Sequence, residues 1–418
     1  MNHRITSFLN SFYPLSIVLL AFSIPINYRI SLYALGLFTL IGFTLVLTRQ
    51  DINHILKSKL SLGLILFWIL HALSLLYSGN IEYGLSDVFK KLSLLIIPLV
   101  FIPDLIEKKH YSHVKKVFIL SLVISSLYFV FRAIVLSTVF TPVGIFFKPN
   151  PVGVPWENYF FYELFVKPHH PTYYSMYLSL GIIFILDNIK SKSSIKAKMP
   201  LYFLILYFIG IIFLTSSKAG ILTTLILLFI AAFWLLKSKG KLIVFTALSV
   251  LVIFGLFLAS SNNRFASTIK NIQRFTSQSE IKDELLLMEL SRFEVWKAVP
   301  GVFKETDWIY GVGVGDVKER LMHAYKSGNA ILAFNEELNT HNQFLQTYVG
   351  LGLIGLVFLL GILGYNTYVA IAKKNIVLVS FLVIILVNFM FEAVLERVFG
   401  VIFFVFYLVI FTNKSCTE

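Results

Sequence analysis

The chain reads as long apolar runs separated by short polar ones. A helix needs about 20 consecutive apolar residues to cross the hydrocarbon of a bilayer. Runs near that length lie at 9–26, 30–48, 60–78, 88–103, 115–138, 171–188, 200–216, 219–236, 242–260, 342–364, 376–394 and 398–412, which predicts twelve spans. The run at 88–103 is the weakest: Lys90 and Lys91 open it and Pro98 interrupts it, so a broken or re-entrant helix is the alternative there. The N-terminal run lacks a small-residue cleavage site and is followed at once by another, so it reads as the first span. The expected fold is an all-α polytopic integral membrane protein, one integral unit over 1–418.

Two connections are too long for turns. Residues 139–170 are rich in proline (Pro142, Pro149, Pro151, Pro155, Pro168) and aromatics (Trp156, Tyr159, Phe160, Phe161, Tyr162). Residues 261–341 are expected to form a partly helical subdomain between the ninth and tenth spans. Within it, Leu285, Met288, Phe293, Trp296 and Val299 follow helical spacing over 280–299, and Pro300 is a natural stop. A glycine turn, GVGVGD at 311–316, follows; it lacks the strand-and-helix context of a phosphate-cradling loop and reads as a flexible turn at the membrane surface. No internal repeat or low-complexity tract divides the chain.

Composition narrows the class. Of 418 residues, 57% are hydrophobic and 14% charged, against about 25% charged in an ordinary soluble domain, which excludes a soluble enzyme. The net charge of +14 is compatible with nucleic acid, anionic lipid or membrane topology, and position decides. With the N-terminus inside, basic residues such as Lys57, Lys59, Lys108, Lys109, Lys196, Lys198, Lys373 and Lys374 fall in short cytoplasmic segments. Short external connections carry only Arg29, Lys90, Lys91, Lys218 and Arg397. That asymmetry puts both termini in the cytoplasm and both long connections outside, and no basic stripe is left for nucleic acid. The single cysteine, Cys416, excludes an intrachain disulfide, a cysteine zinc site and an iron–sulfur cluster.

A few polar residues exceed what a membrane scaffold requires. Lys218, in TSSKAG, and Lys90 and Lys91 border the external face; each either snorkels to headgroups or helps bind a lipid-linked phosphate. Arg132 lies inside the fifth span and needs a cavity or a partner. Glu392, Glu396 and Arg397 cluster at the turn between the last two spans, where a structural ion pair is the first reading. Among nine histidines, His170 opens the sixth span ahead of Pro171, and His341 opens the tenth beside Asn342. Either imidazole can cap and pack, or act as a general base near neutral pH. No Asp, Glu and His cluster with ligand spacing is visible outside the spans, so metal-independent chemistry is expected, with no cofactor.

From His341 the chain reads His, Asn, nine residues, Gly352, two residues, Gly355. This resembles the signature of the bacterial O-antigen ligase family and the related polysaccharide polymerases. The resemblance extends to twelve spans, both ends inside, and a dominant external loop closed by the histidine, which implies a GT-C-like glycosyltransferase fold. It implies that His341 activates the acceptor hydroxyl. It also implies that Arg292, which precedes Trp296 and the glycine turn, and Lys218 hold the pyrophosphate of an undecaprenyl-linked glycan. The family usually has arginine at the latter position; lysine keeps the charge and loses the bidentate fork. Lys90, Lys91, His170 and Asn342 are further candidates for the same surface.

By this resemblance the protein is an inverting ligase of the bacterial inner membrane, with its active site in the periplasm. It transfers glycan to a lipid A core hydroxyl or another glycan acceptor among membrane lipids. A polymerase and a protein O-oligosaccharyltransferase are the nearest alternatives. A transporter is a more distant one, since the spans show no matched pair of broken helices in two halves.

Overall fold

The computed structural model describes residues 3–49, 53–151, 158–190, 194–235, 284–304 and 306–413. The first half contains α1 (His3–Ser23), α2 (Tyr28–Arg49), the short α3 (Asn53–Leu56), α4 (Lys59–Leu73), α5 (Ile81–Lys90), α6 (Ser93–Val100) and α7 (Lys108–Ser137). A hairpin of β1 (Thr138–Thr141) and β2 (Gly144–Phe147) follows, then α8 (Tyr162–Val166), α9 (Pro171–Lys190), α10 (Ile195–Thr215) and α11 (Lys218–Leu235). The cap contains α12 (Glu284–Ala298), α13 (Asp307–Tyr310), α14 (Val317–Ser327) and α15 (Ile331–Asn335). The chain then returns to the bundle as α16 (Gln343–Ala372), α17 (Ile376–Phe391) and α18 (Val398–Thr412).

Six described helices are long and apolar enough to cross a membrane: Thr6–Ser23, Tyr28–Arg49, Lys59–Tyr77, Lys108–Ser137, Ile195–Thr215 and Gln343–Ala372. Lys218–Phe233, Ile376–Phe391 and Val398–Thr412 are shorter apolar helices. The span expected at 242–260 lies outside the described residues, as does Trp156. Outer helices expose apolar stripes at helical period. On α2 these are Tyr33, Leu37, Leu40, Phe43 and Leu47; on α7, Leu120, Ile124, Leu127, Phe131 and Ile134. Such stripes suit lipid as the surrounding solvent. By contrast α9 and α18 are buried nearly all round, every residue from Gly400 to Phe411 included, and form the centre of the bundle.

The apolar run at 88–103 is two helices, α5 and α6, set apart by a turn at Lys91 and Leu92, rather than a single span. The cause is the side chain of Lys91, drawn into the protein by Asp87 (2.5 Å) and Glu396 (2.9 Å). At 1.5 Å per residue the eight residues of α6 rise about 12 Å, too little to cross alone. α6 packs among α2, α4 and α18 instead. Its loose end is closed by Tyr13, whose hydroxyl accepts from the Ile102 amide (2.7 Å) and donates to the Val100 carbonyl (2.8 Å). Irregular backbone at this depth persists because protein, not lipid, surrounds it.

Three further features refine the expectations. The hairpin is a local departure from an all-α chain: Thr141 pairs with Gly144 across Pro142 and Val143, and Gly144 takes φ 146°. Tyr159 and Phe160 of the same connection pack against the bundle core. Arg132 finds its partner there as well, donating from Nη1 to the Leu164 carbonyl at 2.7 Å.

The glycine turn is fixed rather than flexible. α16 unwinds at Gly352 (φ 63°, ψ −161°), and the carbonyls so exposed are taken by the turn: Val312 N donates to Val349 O at 2.9 Å and Gly313 N to Gly350 O at 3.1 Å. On its other side, Val314 N and Gly315 N bond the hydroxyls of Ser74 and Ser78, and the Asp316 carboxylate accepts from the Gly79 and Asn80 amides at 2.8 Å each. The approach leaves no room for side chains. A Cβ on Gly352 would lie 2.3 Å from the Ile309 carbonyl, and one on Gly311 would lie 2.4 Å from that of Gly350. The amides of the turn are thus taken by backbone carbonyls and serine hydroxyls of the protein itself, which leaves them unavailable to cradle a phosphate.

Candidate active site

The site is assembled where the cap meets the end of the bundle. Arg292 stands one helical turn before Trp296 on α12, on the same face. The Trp296 indole donates to the Thr340 carbonyl at 2.9 Å. Thr340 is itself buried, and its hydroxyl bonds Gln346 Oε1 at 2.9 Å, so the residue before His341 is held from two sides. His341 takes a left-handed conformation (φ 44°), with its amide donating to Asn339 Oδ1 at 2.9 Å. Asn342 caps α16, accepting from Leu345 N at 3.1 Å, while its Nδ2 donates to the Met390 carbonyl near the end of α17 (3.3 Å). Its side chain is therefore occupied in holding α16 to α17.

That tie brings Glu392, at the end of α17, to His341. Glu392 Oε2 lies 3.6 Å from His341 Nδ1, beyond a hydrogen bond but within ion-pairing reach. His341 Nδ1 is buried and has no hydrogen-bond partner in this conformation. Burial alone would push the Glu392 carboxyl up; the His341 imidazole, with the fields of His170 and Arg292, outweighs it and holds the carboxyl below its ordinary value. Burial lowers His170, against the opposing fields of Glu392 and Glu163. His341, His170, Arg292 and Glu392 thus share one electrostatic neighbourhood.

Lys218 opens α11. Thr223, five residues further on, accepts from Asn388 Nδ2 at 3.1 Å, and Asn388 precedes Glu392 by four residues on α17. This register sets Lys218 and Glu392 at similar height on neighbouring helices. The preceding Ser217 hydroxyl accepts from Gly220 N at 3.1 Å, and Gly220 lies so close to Ser175 that a Cβ would meet its hydroxyl at 2.2 Å, packing α11 onto α9.

Other expected residues sit elsewhere. Lys91 is fully buried, held by Asp87 and Glu396. Its charge is neutralised inside the protein, so the structural ion pair, formed by Glu396, describes it better than phosphate binding does. Lys90 is half-buried, its ammonium 5.5 Å from the centre of the Tyr83 ring. Gly352 and Gly355 lie within α16, where Gly352 provides the break and Gly355 packs under Leu351.

Sequence reasoning left out Glu392, Trp296 and Asn339 as site residues. Glu392 carried a signal, a carboxylate directly after an apolar run that ends on the same side as His341; Trp296 figured only as the residue that marks Arg292, and Asn339 carried no signal.

These features define a class: an all-α, multi-pass membrane protein with an imidazole–carboxylate pair flanked by cations at one end of its bundle. Residues 203–360 match the family model described as O-antigen ligase, which supports a place in the O-antigen ligase-like superfamily. The matched segment includes Lys218, Arg292, His341, Gly352 and Gly355, and excludes His170 and Glu392. No curated protein matches the chain.

Proposed function

We propose that this protein is an O-antigen ligase-type glycosyltransferase of the bacterial inner membrane. It moves a glycan from undecaprenyl diphosphate to a lipid A core hydroxyl at the periplasmic face. The observation that carries the reading is the His341–Glu392 pair, with Arg292 near enough to act on the same carboxylate.

With Nδ1 of His341 turned to Glu392, Nε2 is the nitrogen that takes the proton from the acceptor hydroxyl. The acceptor oxygen forms its bond to the anomeric carbon as the bond from that carbon to the donor's phosphate oxygen breaks. One displacement of this kind inverts the centre. Arg292 and Lys218 neutralise the charge that develops on the departing pyrophosphate, Arg292 through a planar fork and Lys218 as a point charge. Glu392 stabilises the imidazolium and orients the ring, as a carboxylate does beside a catalytic histidine. General-base catalysis of this kind contributes about 10²- to 10⁴-fold.

The test is transfer in reconstituted liposomes containing an undecaprenyl-diphosphate glycan and lipid A core, in EDTA, by wild type and His341→Ala. Glycan on lipid A core with wild type alone supports the reading. Longer lipid-linked glycan with the core untouched would make the protein a polymerase, and no transfer at all would return it to the transporter class.

A further inference from the structure

A cleft of about 580 Å³ lies between the cap and the bundle, separate in its lining from the Arg292 and Lys218 side of the site. Its cap wall is the start of α14, with Lys318, and the strand of chain at 337–339; its bundle wall includes Lys90 and Arg397. The volume falls within the range of about 300 to 1,000 Å³ that suits a small ligand or a few sugar rings.

Charge and surface chemistry restrict what fits. The cleft carries three cations and two carboxylates. Both carboxylates are already paired, Glu337 with Lys318 at 2.6 Å and Glu396 with Lys91 at 2.9 Å. Among the described residues neither Lys90 nor Arg397 is in an ion pair with a carboxylate, so both present positive charge to the cleft. Tyr28, Tyr83 and Phe399 line the same cleft. Rings together with cations suit a saccharide that bears anionic substituents.

The cleft also reaches the site. Asn339 lines it and is the residue whose side chain accepts from the His341 amide. Arg397, which lines the cleft, also acts electrostatically on His170.

We infer that this cleft is the acceptor subsite and that it takes an anionic saccharide, with phosphate or carboxylate groups held by Lys90 and Arg397. The term acceptor rests on the transferase reading above; the binding itself does not.

The test is direct binding to wild-type protein in phosphatidylcholine nanodiscs. The probes are a delipidated, phosphorylated core oligosaccharide and the same oligosaccharide after phosphatase treatment. Wild type is expected to bind the phosphorylated form at least about tenfold more tightly, as for a pair of charge-assisted contacts. Arg397→Gln and Lys90→Gln should each remove most of that difference at an unchanged melting temperature, and Arg397→Lys should restore part of it. His341→Ala should lose transfer yet keep the preference for the phosphorylated probe, so a failed transfer reaction and a failed binding site are told apart.

Equal binding of the two probes, or an Arg397→Gln variant that discriminates like wild type, overturns the proposal. If binding is lost when phosphatidylglycerol is added to the discs, a lipid headgroup occupies the cleft and the saccharide assignment fails. Should Arg397→Gln not fold, the Lys90→Gln result decides.

Discussion

The Trp296 indole is fastened to the Thr340 carbonyl by a 2.9 Å hydrogen bond, so the helix bearing Arg292 is tied to the residue that precedes His341. The bond does more for alignment than for stability. A neutral hydrogen bond contributes about 1 kcal/mol net. Trp296→Phe keeps most of the ring and loses the donor. It is expected to lower kcat for transfer by about tenfold through misalignment of the site, a difference of about 1.4 kcal/mol in the barrier, with a melting temperature changed by only a few degrees. A variant with wild-type kcat would show that the fastening has no part in turnover.

Glu392 and His170 make stability depend on pH in two separate windows. The Glu392 carboxyl lies below its ordinary 4.5, so its anionic form is favoured by the fold. That contribution is present above 4.5 and is lost as pH falls through the lowered value. His170 lies below its ordinary 6.5, so the fold favours the neutral ring, and stability is lost as pH falls from 6.5 towards the lowered value. Melting curves in nanodiscs should therefore lose stability in an upper and a lower step on acidification. In difference curves against wild type, His170→Gln should remove the upper step and Glu392→Gln the lower. If both variants follow the wild-type profile, the electrostatic cluster described here does not exist in solution.

Gly352 permits the break in α16 and the close approach of the cap. Alanine there would face both a positive φ of 63° and a Cβ 2.3 Å from the Ile309 carbonyl, so the backbone must separate. A strained position of this kind costs about 1 to 3 kcal/mol, and the lost bonds to Val312 and Gly313 add to it. Gly352→Ala should speed proteolysis between 300 and 340 and abolish transfer while the bundle still reconstitutes. Gly364 has nothing near its Cβ position, so Gly364→Ala serves as the matched control in the same helix. Equal protease resistance of the two variants would contradict this account.

Lys91 links α5, through Asp87, to the turn that holds Glu396. Removing one member of a buried ionic group leaves charge uncompensated and costs about 3 to 5 kcal/mol, whereas replacing all members by neutral groups costs far less. Lys91→Met should therefore destabilise the protein strongly in detergent unfolding. The triple change Asp87→Asn, Lys91→Met and Glu396→Gln should recover most of the loss. A single variant as stable as wild type would mean that the group does not hold these segments together.

Much of this was legible in the sequence because lipid imposes so simple a demand. An apolar run of sufficient length has little choice but to form a helix, and α2, α7, α10 and α16 lie where their runs predict. The break at 91–92 escaped a clean reading because apolar length says nothing about a lysine with two carboxylate partners, one of them four residues away and the other 305. The glycine turn looked mobile because its partners, Ser74, Ser78 and the unwound carbonyls of α16, are remote in the chain. His341 could be singled out as a polar residue at a helix start. Its carboxylate could not, since only the Asn342 tie to Met390 and the register of α17 decide that Glu392, not Glu396, is the one that reaches it.

The burial of α18 has a consequence for assembly. It follows every other described helix in the chain, yet its residues from Gly400 to Phe411 fill the middle of the bundle. A nascent protein must hold a seam open between helices already inserted, and close it only when this segment arrives from the ribosome. Translation that halts before residue 398 would leave α6 and α17 facing lipid with surfaces shaped for protein, a state that quality control in the membrane can recognise.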